Sequence, residues 1–223
     1  MSGGNMKILL ISSSPKGEAS LTFNLAAETL KGAGAAGAET EIIHLRDCKI
    51  EFCRSCERCH KKSMQCPIDD DAPRILKKML DADGIIFASP NYINQVTASM
   101  KALFDRSSNF IHCKRLLGKY TAGVVSSGSG YNKEPLDYLA HYSHMSGAQY
   151  TGRISCGRIM DPEKKKEAFK LGMSLVSDIK TARIYPDQTA VIENSRNTFA
   201  AIIKMRKDDW DAEYTYWQEK VWL

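Results

Sequence analysis

Lys7-Ile-Leu-Leu-Ile-Ser-Ser-Ser-Pro-Lys-Gly17 joins a continuous apolar run to a turn-rich stretch. Ile8, Leu9, Leu10 and Ile11 leave no polar face, the pattern of a strand covered on both sides in a parallel sheet. A helix is expected from about Ser20, with Leu21, Leu25 and Ala26 on one face and Gly32, Gly34 and Gly37 closing it. The same unit recurs. Further strands are expected at Glu41–Leu45, Gly84–Ser89, Tyr120–Ser127 and Gln149–Ser155. Helices are expected after the acidic start Asp69-Asp-Asp71, over Thr97–Arg106, over Glu134–Met145 and over Glu163–Thr181. Strand and helix alternating about five times, with strands too apolar for a sheet wet on one face, predict a doubly wound parallel α/β sheet. Ligands of such a sheet bind at the carboxyl ends of its strands.

The 223 residues suit one domain with an extension. The expected organisation is a tail over 1–5, an α/β domain over 6–185 and an aromatic-rich helical extension over 186–223. The apolar runs fall far below the ~18 residues that cross a bilayer, and Met1–Asn5 shows no secretory signal. A cytoplasmic protein with no membrane partner is expected. Lysine and arginine number 31 against 26 acidic residues, a net charge of +5. That mild, scattered excess contains no basic tract arguing for nucleic acid.

The loops after the first, third and fourth strands share one edge of the sheet. Ser12–Thr22 offers hydroxyls, backbone N–H groups, Lys16 and a helix N-terminus, the combination that suits a phosphate. It is neither a G-x-G-x-x-G fingerprint nor a Walker A loop. Ser89-Pro-Asn-Tyr-Ile-Asn94 combines a stiff turn at Pro90 with an aromatic face at Tyr92 and polar groups at Asn91 and Asn94, which can hold a flat heterocycle. Ser126–Gly130 can close over the same edge.

Four of the seven cysteines lie in Cys53-x2-Cys56-x2-Cys59-x6-Cys66-Pro67, inside a loop over 47–67. An odd total and close clustering argue for a metal or redox site over a disulfide framework. The spacing approaches the ferredoxin rhythm of C-x2-C-x2-C followed by C-P, with a longer last gap, and points to a 4Fe-4S cluster. Zinc fits less well, because structural zinc sites pair two C-x2-C units across a longer spacer; unmetallated reactive thiols are the other alternative. From Arg46 to Cys66 six basic residues face three acidic ones, a balance that would offset the charge of a thiolate-bound cluster. Cys48 is an alternative ligand, Cys113 and Cys156 read as buried thiols, and His60 reads as exposed. His44, His112, His141 and His144 show no ligand spacing.

Ser13-Ser-Pro-Lys-Gly-Glu-Ala-Ser-Leu-Thr22 and Ser89-Pro-Asn-Tyr-Ile-Asn-Gln-Val-Thr-Ala-Ser-Met-Lys-Ala-Leu-Phe-Asp-Arg106 resemble the two flavin loops of the flavodoxin-like, NAD(P)H-dependent FMN reductases. With the cysteine loop between the second strand and second helix, the chain resembles the iron-sulfur flavoprotein family. The resemblance implies a five-stranded sheet in the order 2-1-3-4-5 with helices on both faces. It implies FMN and a 4Fe-4S cluster as cofactors, the latter on Cys53, Cys56, Cys59 and Cys66. Ser14, Lys16, Ser20 and Thr22 would hold the FMN phosphate, with Ser12 and Pro15 in the same loop. Pro90, Asn91, Tyr92 and Ile93, following Ser89, would line the isoalloxazine ring, with Ser127 and Gly128 near its pyrimidine edge. It also implies a homodimer or homotetramer, and ferredoxin or NAD(P)H as electron donor, with NAD(P)H as cosubstrate in the second case. The chain departs from the family's usual pattern at Ser13, where glycine is common, at Lys16, where arginine is common, and at Leu21, where asparagine is common.

The expected function is electron transfer through FMN and the cluster to an acceptor. No side-chain general base is required. The rival readings are a cluster-free FMN or quinone reductase and a thiol- or metal-sensing module. Trp210, Trp217 and Trp222, with Tyr214 at the same helical spacing, make an aromatic face whose simplest role is packing on the domain or a subunit contact, a direct role at the active site being the alternative.

Overall fold

The computed structural model describes residues 5–223. Of the expected N-terminal tail only Asn5 falls within them, and its amide donates to Glu39 Oε1 at 2.8 Å; Met1–Gly4 lie outside the described residues.

Five parallel strands, β1 Lys7–Ser12, β2 Glu39–His44, β3 Gly84–Pro90, β4 Tyr120–Ser126 and β5 Gln149–Cys156, form one sheet in the order β2-β1-β3-β4-β5. The expected order is therefore the observed one. β1 pairs on both sides, Leu9 opposite Glu41 of β2 and opposite Ile85 of β3. Its side chains alternate between two cores, as the two-residue strand period requires. Leu9 and Ile11 join Ile75, Met79, Phe87, Leu103 and Tyr142 on one face. Ile8 and Leu10 join Leu25, Ala26, Val124, Leu175 and Val176 on the other.

Helices α1 Leu21–Ala35 and α7 Pro162–Thr181 cover the second face. α3 Ala72–Asp81, α4 Ala98–Asp105 and α6 Lys133–Met145 cover the first. Between them run the short α2 Arg58–Lys61 and α5 Ser108–His112. Sequence periodicity missed both, because five residues or fewer carry no amphipathic repeat.

α1 and α7 cross at two glycines. A Cβ on Gly32 would overlap the Phe169 carbonyl, and one on Gly172 the Thr29 carbonyl. Gly172→Ala is expected to force the helices apart and cost about 1–3 kcal/mol, the usual penalty of overpacking. Urea unfolding checks this, and an unchanged midpoint would mean the crossing yields without penalty.

The C-terminal segment forms α8 Pro186–Met205 and α9 Asp211–Glu219. Ile203, Trp210 and Trp217 pack with Cys113, Phe199 and Tyr214 into a third apolar cluster. Buried Lys114 pins α8 through bonds from Nζ to the Ile111 carbonyl at 2.8 Å, the Met145 carbonyl at 2.9 Å and Ser195 Oγ at 2.8 Å. Burial pulls its ammonium down to about 8. Cys113 and Cys156 are both buried. No helix of the described residues is long and apolar enough to cross a membrane.

Candidate functional site

Two cavities open beside the carboxyl ends of the strands. The first, about 430 Å³, is lined by the loops after β1, β3 and β4. Ser14, Pro15, Lys16, Ser20, Thr22, Pro90, Asn91, Tyr92, Ser127 and Gly128 all line it. Leu21 and Thr22 open α1, and the first N–H groups of a helix have no partner within it. That end of the helix favours an anion.

Part of the hydroxyl set is committed to scaffolding. Ser20 Oγ accepts from Phe23 N at 3.3 Å and caps α1. Thr22 Oγ1 bonds Ser126 Oγ at 2.6 Å, tying the first loop to the last. The Asn91 N–H donates to the Ser126 carbonyl at 2.9 Å, tying the middle loop to the same strand end. Gly157 and Arg158, absent from the sequence reading, complete the wall, and Arg158 Nε donates to the Gly128 carbonyl at 3.1 Å.

Three expected residues stand outside this cavity. Ser12 is fully buried at the end of β1, its Oγ without a partner among the described residues. Ser89 is also fully buried; its Oγ accepts from Thr97 N at 3.0 Å and fixes the start of α4. Both lie where strand residues still alternate into the layers, so they hold the loops without facing the space between them. Ile93 sits at the tip of the hairpin that Tyr92 and Gln95 close, fully exposed, with φ of 53°. A β-branched residue is strained in that left-handed region.

The second cavity, about 620 Å³, is lined by all four clustered cysteines. Cys53 and Cys56 are exposed and Cys59 and Cys66 half-buried. The loop turns through three non-glycine residues with positive φ, Ser55 (51°), Glu57 (57°) and Met64 (60°). Strain of this kind persists where surroundings over-determine it. Cys48 lies apart: its Sγ donates to the His44 carbonyl at 3.4 Å, and it does not line the cavity.

The sulfurs have donors. Arg106 Nη2 approaches Cys66 Sγ at 3.3 Å, and Ser108 Oγ lies 3.7 Å from Cys59 Sγ. Burial raises the Cys59 thiol, but His60 and Ser108 outweigh it and hold the thiol below its ordinary value. A thiolate is what a metal ligand must be. Arg106 is itself held by Asp70 in a pair with side chains 1% and 0% exposed. Burial pushes the Asp70 carboxyl up. Arg106 and the N–H groups of Glu51 and Ala72 more than offset this, and the net shift is down.

His60 is buried, against the expectation of exposure, because the C-terminal segment covers it. Glu213 of α9, fully buried, accepts from His60 Nδ1 at 2.6 Å, from His112 Nδ1 at 2.9 Å and from Asn109 Nδ2 at 2.6 Å. Desolvation raises the Glu213 carboxyl, but the two histidines win and keep it low. An ionised carboxylate only accepts, so each ring carries its proton on Nδ1. The rings stack 4.5 Å apart at 11°. The three ligand atoms lie within 4.8 Å of one another, and with both Nδ1 atoms turned to the one carboxylate the trio is a hydrogen-bonded clamp. A second tie joins Glu57 to Arg206 Nη2 at 2.7 Å and to Trp210 Nε1 at 3.2 Å, with Trp210 itself in the cavity wall.

Fold and loops define the class, a flavodoxin-like protein with a cavity at the switch point of the sheet. Residues 6–154 match the NADPH-dependent FMN reductase family. An iron-sulfur flavoprotein of Archaeoglobus fulgidus is 30% identical over 225 residues, 96% of this chain and 99% of that protein. One of Methanocaldococcus jannaschii is 42% identical over 127 residues, 57% of this chain. Among solved structures, a flavone reductase superposes with a TM-score of 0.65 at 21% identity, covering 78% of this chain and 63% of that one. An archaeal flavodoxin does so at 0.55 and 17%, covering 78% and 99%.

The chain belongs to the NADPH-dependent FMN reductase family, in its iron-sulfur flavoprotein branch. It spans 64% of the M. jannaschii relative and 60% of a second A. fulgidus relative.

Proposed function

We propose that the chain is an FMN-dependent oxidoreductase that also carries a 4Fe-4S cluster on Cys53, Cys56, Cys59 and Cys66. The observation that carries this is the gathering of all four cysteines around one cavity while the three flavin-type loops enclose another. A cubane takes one thiolate on each iron, so its ligands stand further apart than those of a single ion. Four cysteines spread around a roomy wall suit that demand, and the donors on Cys59 and Cys66 suit bound thiolates. Arg106 Nε is buried with no partner among the described residues, leaving one N–H donor unused on a residue that lines the cavity.

When bound, FMN supplies two-electron and one-electron chemistry, and a cluster supplies one-electron chemistry. The chain's own part is to bind and orient. Lys16 and the opening of α1 would take the phosphate, and Pro90, Asn91 and Tyr92 the ring. Ser127 and Gly128 would face the ring's polar edge. Arg106, Ser108 and Trp210 would hold and cover the cluster side. Electrons would enter from ferredoxin or NAD(P)H. A homodimer or homotetramer would set exposed Tyr92 and Ile93 against a neighbouring copy.

Anaerobic purification with iron, sulfide and FMN counts tests the reading. Four irons, four sulfides and one FMN per chain are expected, with iron lost in Cys56→Ala and Cys59→Ala. FMN without iron after anaerobic reconstitution would leave a cluster-free reductase, and neither cofactor would leave a sensing module.

A further inference from the structure

We propose that Arg106 is a positioning residue that raises the reduction potential of the cluster through its N–H···S bond to Cys66; this rests on the cluster reading above. Four observations converge on it. The guanidinium is removed from water, with 1% of its side chain exposed. It is fixed on three sides: Nη1 donates to the Glu51 carbonyl at 2.9 Å, Nη1 and Nη2 clasp Asp70 as a fork, and Nη2 reaches Cys66 Sγ at 3.3 Å. Asp70 is held in turn by Glu51 N at 2.8 Å and Ala72 N at 3.1 Å, so the pair cannot swing away from the sulfur. Arg106 also follows the last residue of α4, whose first turn is anchored on the flavin-side loop through Thr97 N and Ser89 Oγ.

The last point gives the placement its meaning. A helix rises about 1.5 Å per residue, so the nine steps from Thr97 to Arg106 span about 13 Å. One rigid rod therefore starts against the flavin loop and ends at a cluster ligand. Lysine could bring a charge to this place, but only the planar fork can clasp a carboxylate with both nitrogens and still aim an N–H at sulfur. Reduction places one more negative charge on the cluster and its thiolates. A fixed donor in a dry site stabilises that charge more than the oxidised state, and so raises the potential.

The test is a redox titration of the anaerobic holoprotein followed by electron paramagnetic resonance, with iron, sulfide and FMN counted in each sample. Arg106→Gln is expected to shift the one-electron equilibrium about tenfold toward the oxidised cluster, which is about 60 mV, at unchanged FMN content. Arg106→Lys, which keeps the charge opposite Asp70, is expected to fold like the parent and fall between the two. A full iron count with the parent potential in both variants would overturn this inference and leave the cluster reading standing. If Arg106→Gln does not fold, Arg106→Lys decides alone: a lowered potential supports the assignment, and an unchanged one overturns it. A parent protein that assembles no cluster overturns both.

Discussion

Glu213→Leu is expected to destabilise the chain by about 3–5 kcal/mol, the range for removing one partner of a buried charged set. Against a total stability of about 5–15 kcal/mol, that is a large fraction. The carboxylate is fully buried and accepts three bonds, from His60, His112 and Asn109. Leucine fills similar space but leaves three donors facing an apolar group, and a buried donor without a partner carries its whole desolvation penalty. The damage should reach the cysteine loop directly. His60 follows Cys59 and lies in α2, and α9 reaches α2 through this bond and through Trp210 and Glu57. Glu213→Gln keeps the shape and one acceptor oxygen and should lose less. Urea unfolding monitored by tryptophan fluorescence, with iron retention after gel filtration, measures both variants. A Glu213→Leu midpoint within error of the parent would mean the carboxylate clamps nothing.

That clamp also marks where sequence reading stopped short. The strands were legible because residues such as Ile8–Ile11 are apolar on both faces, and only a doubly covered sheet accepts such a run. The phosphate-type loop was legible because hydroxyls and a helix start fall together at the end of β1. Which hydroxyls face the cavity was not. Ser12, Ser89 and Thr22 read alike as polar loop residues, yet only tertiary contacts show Ser89 serving Thr97, Thr22 serving Ser126 and Ser12 turned inward. Asp70 read as one acid of a helix start, whereas its carboxylate reaches a guanidinium 36 residues away.

The C-terminal segment held a usable signal. Glu213 stands three residues after Trp210 and four before Trp217, on the same helical stripe as the aromatic face. An acid on an apolar stripe demands a buried partner. The partners themselves, His60 and His112, could not be found by spacing, because they lie 153 and 101 residues away.

Asp70→Asn is expected to cost a similar 3–5 kcal/mol at neutral pH, because it strands the buried guanidinium of Arg106. Its pH dependence separates it from an ordinary packing defect. The folded state holds the Asp70 carboxyl below its ordinary value of 3.8. The unfolded chain therefore binds more protons just below that value, and stability falls as pH falls. The contribution is complete above about pH 4, the ordinary aspartate range, and is lost as pH drops through the lower folded value. Asparagine has no such proton to take up. Urea midpoints for the metal-free chain should therefore converge on acidification: both fall, because Glu213 is also held low in the folded state, but the parent falls more steeply by the Asp70 contribution. Midpoints that stay parallel would mean that the pair adds shape alone. Convergence would show that the charge on Asp70 anchors Arg106, and hence that the donor aimed at Cys66 is fixed by an ion pair buried where water cannot compete for it.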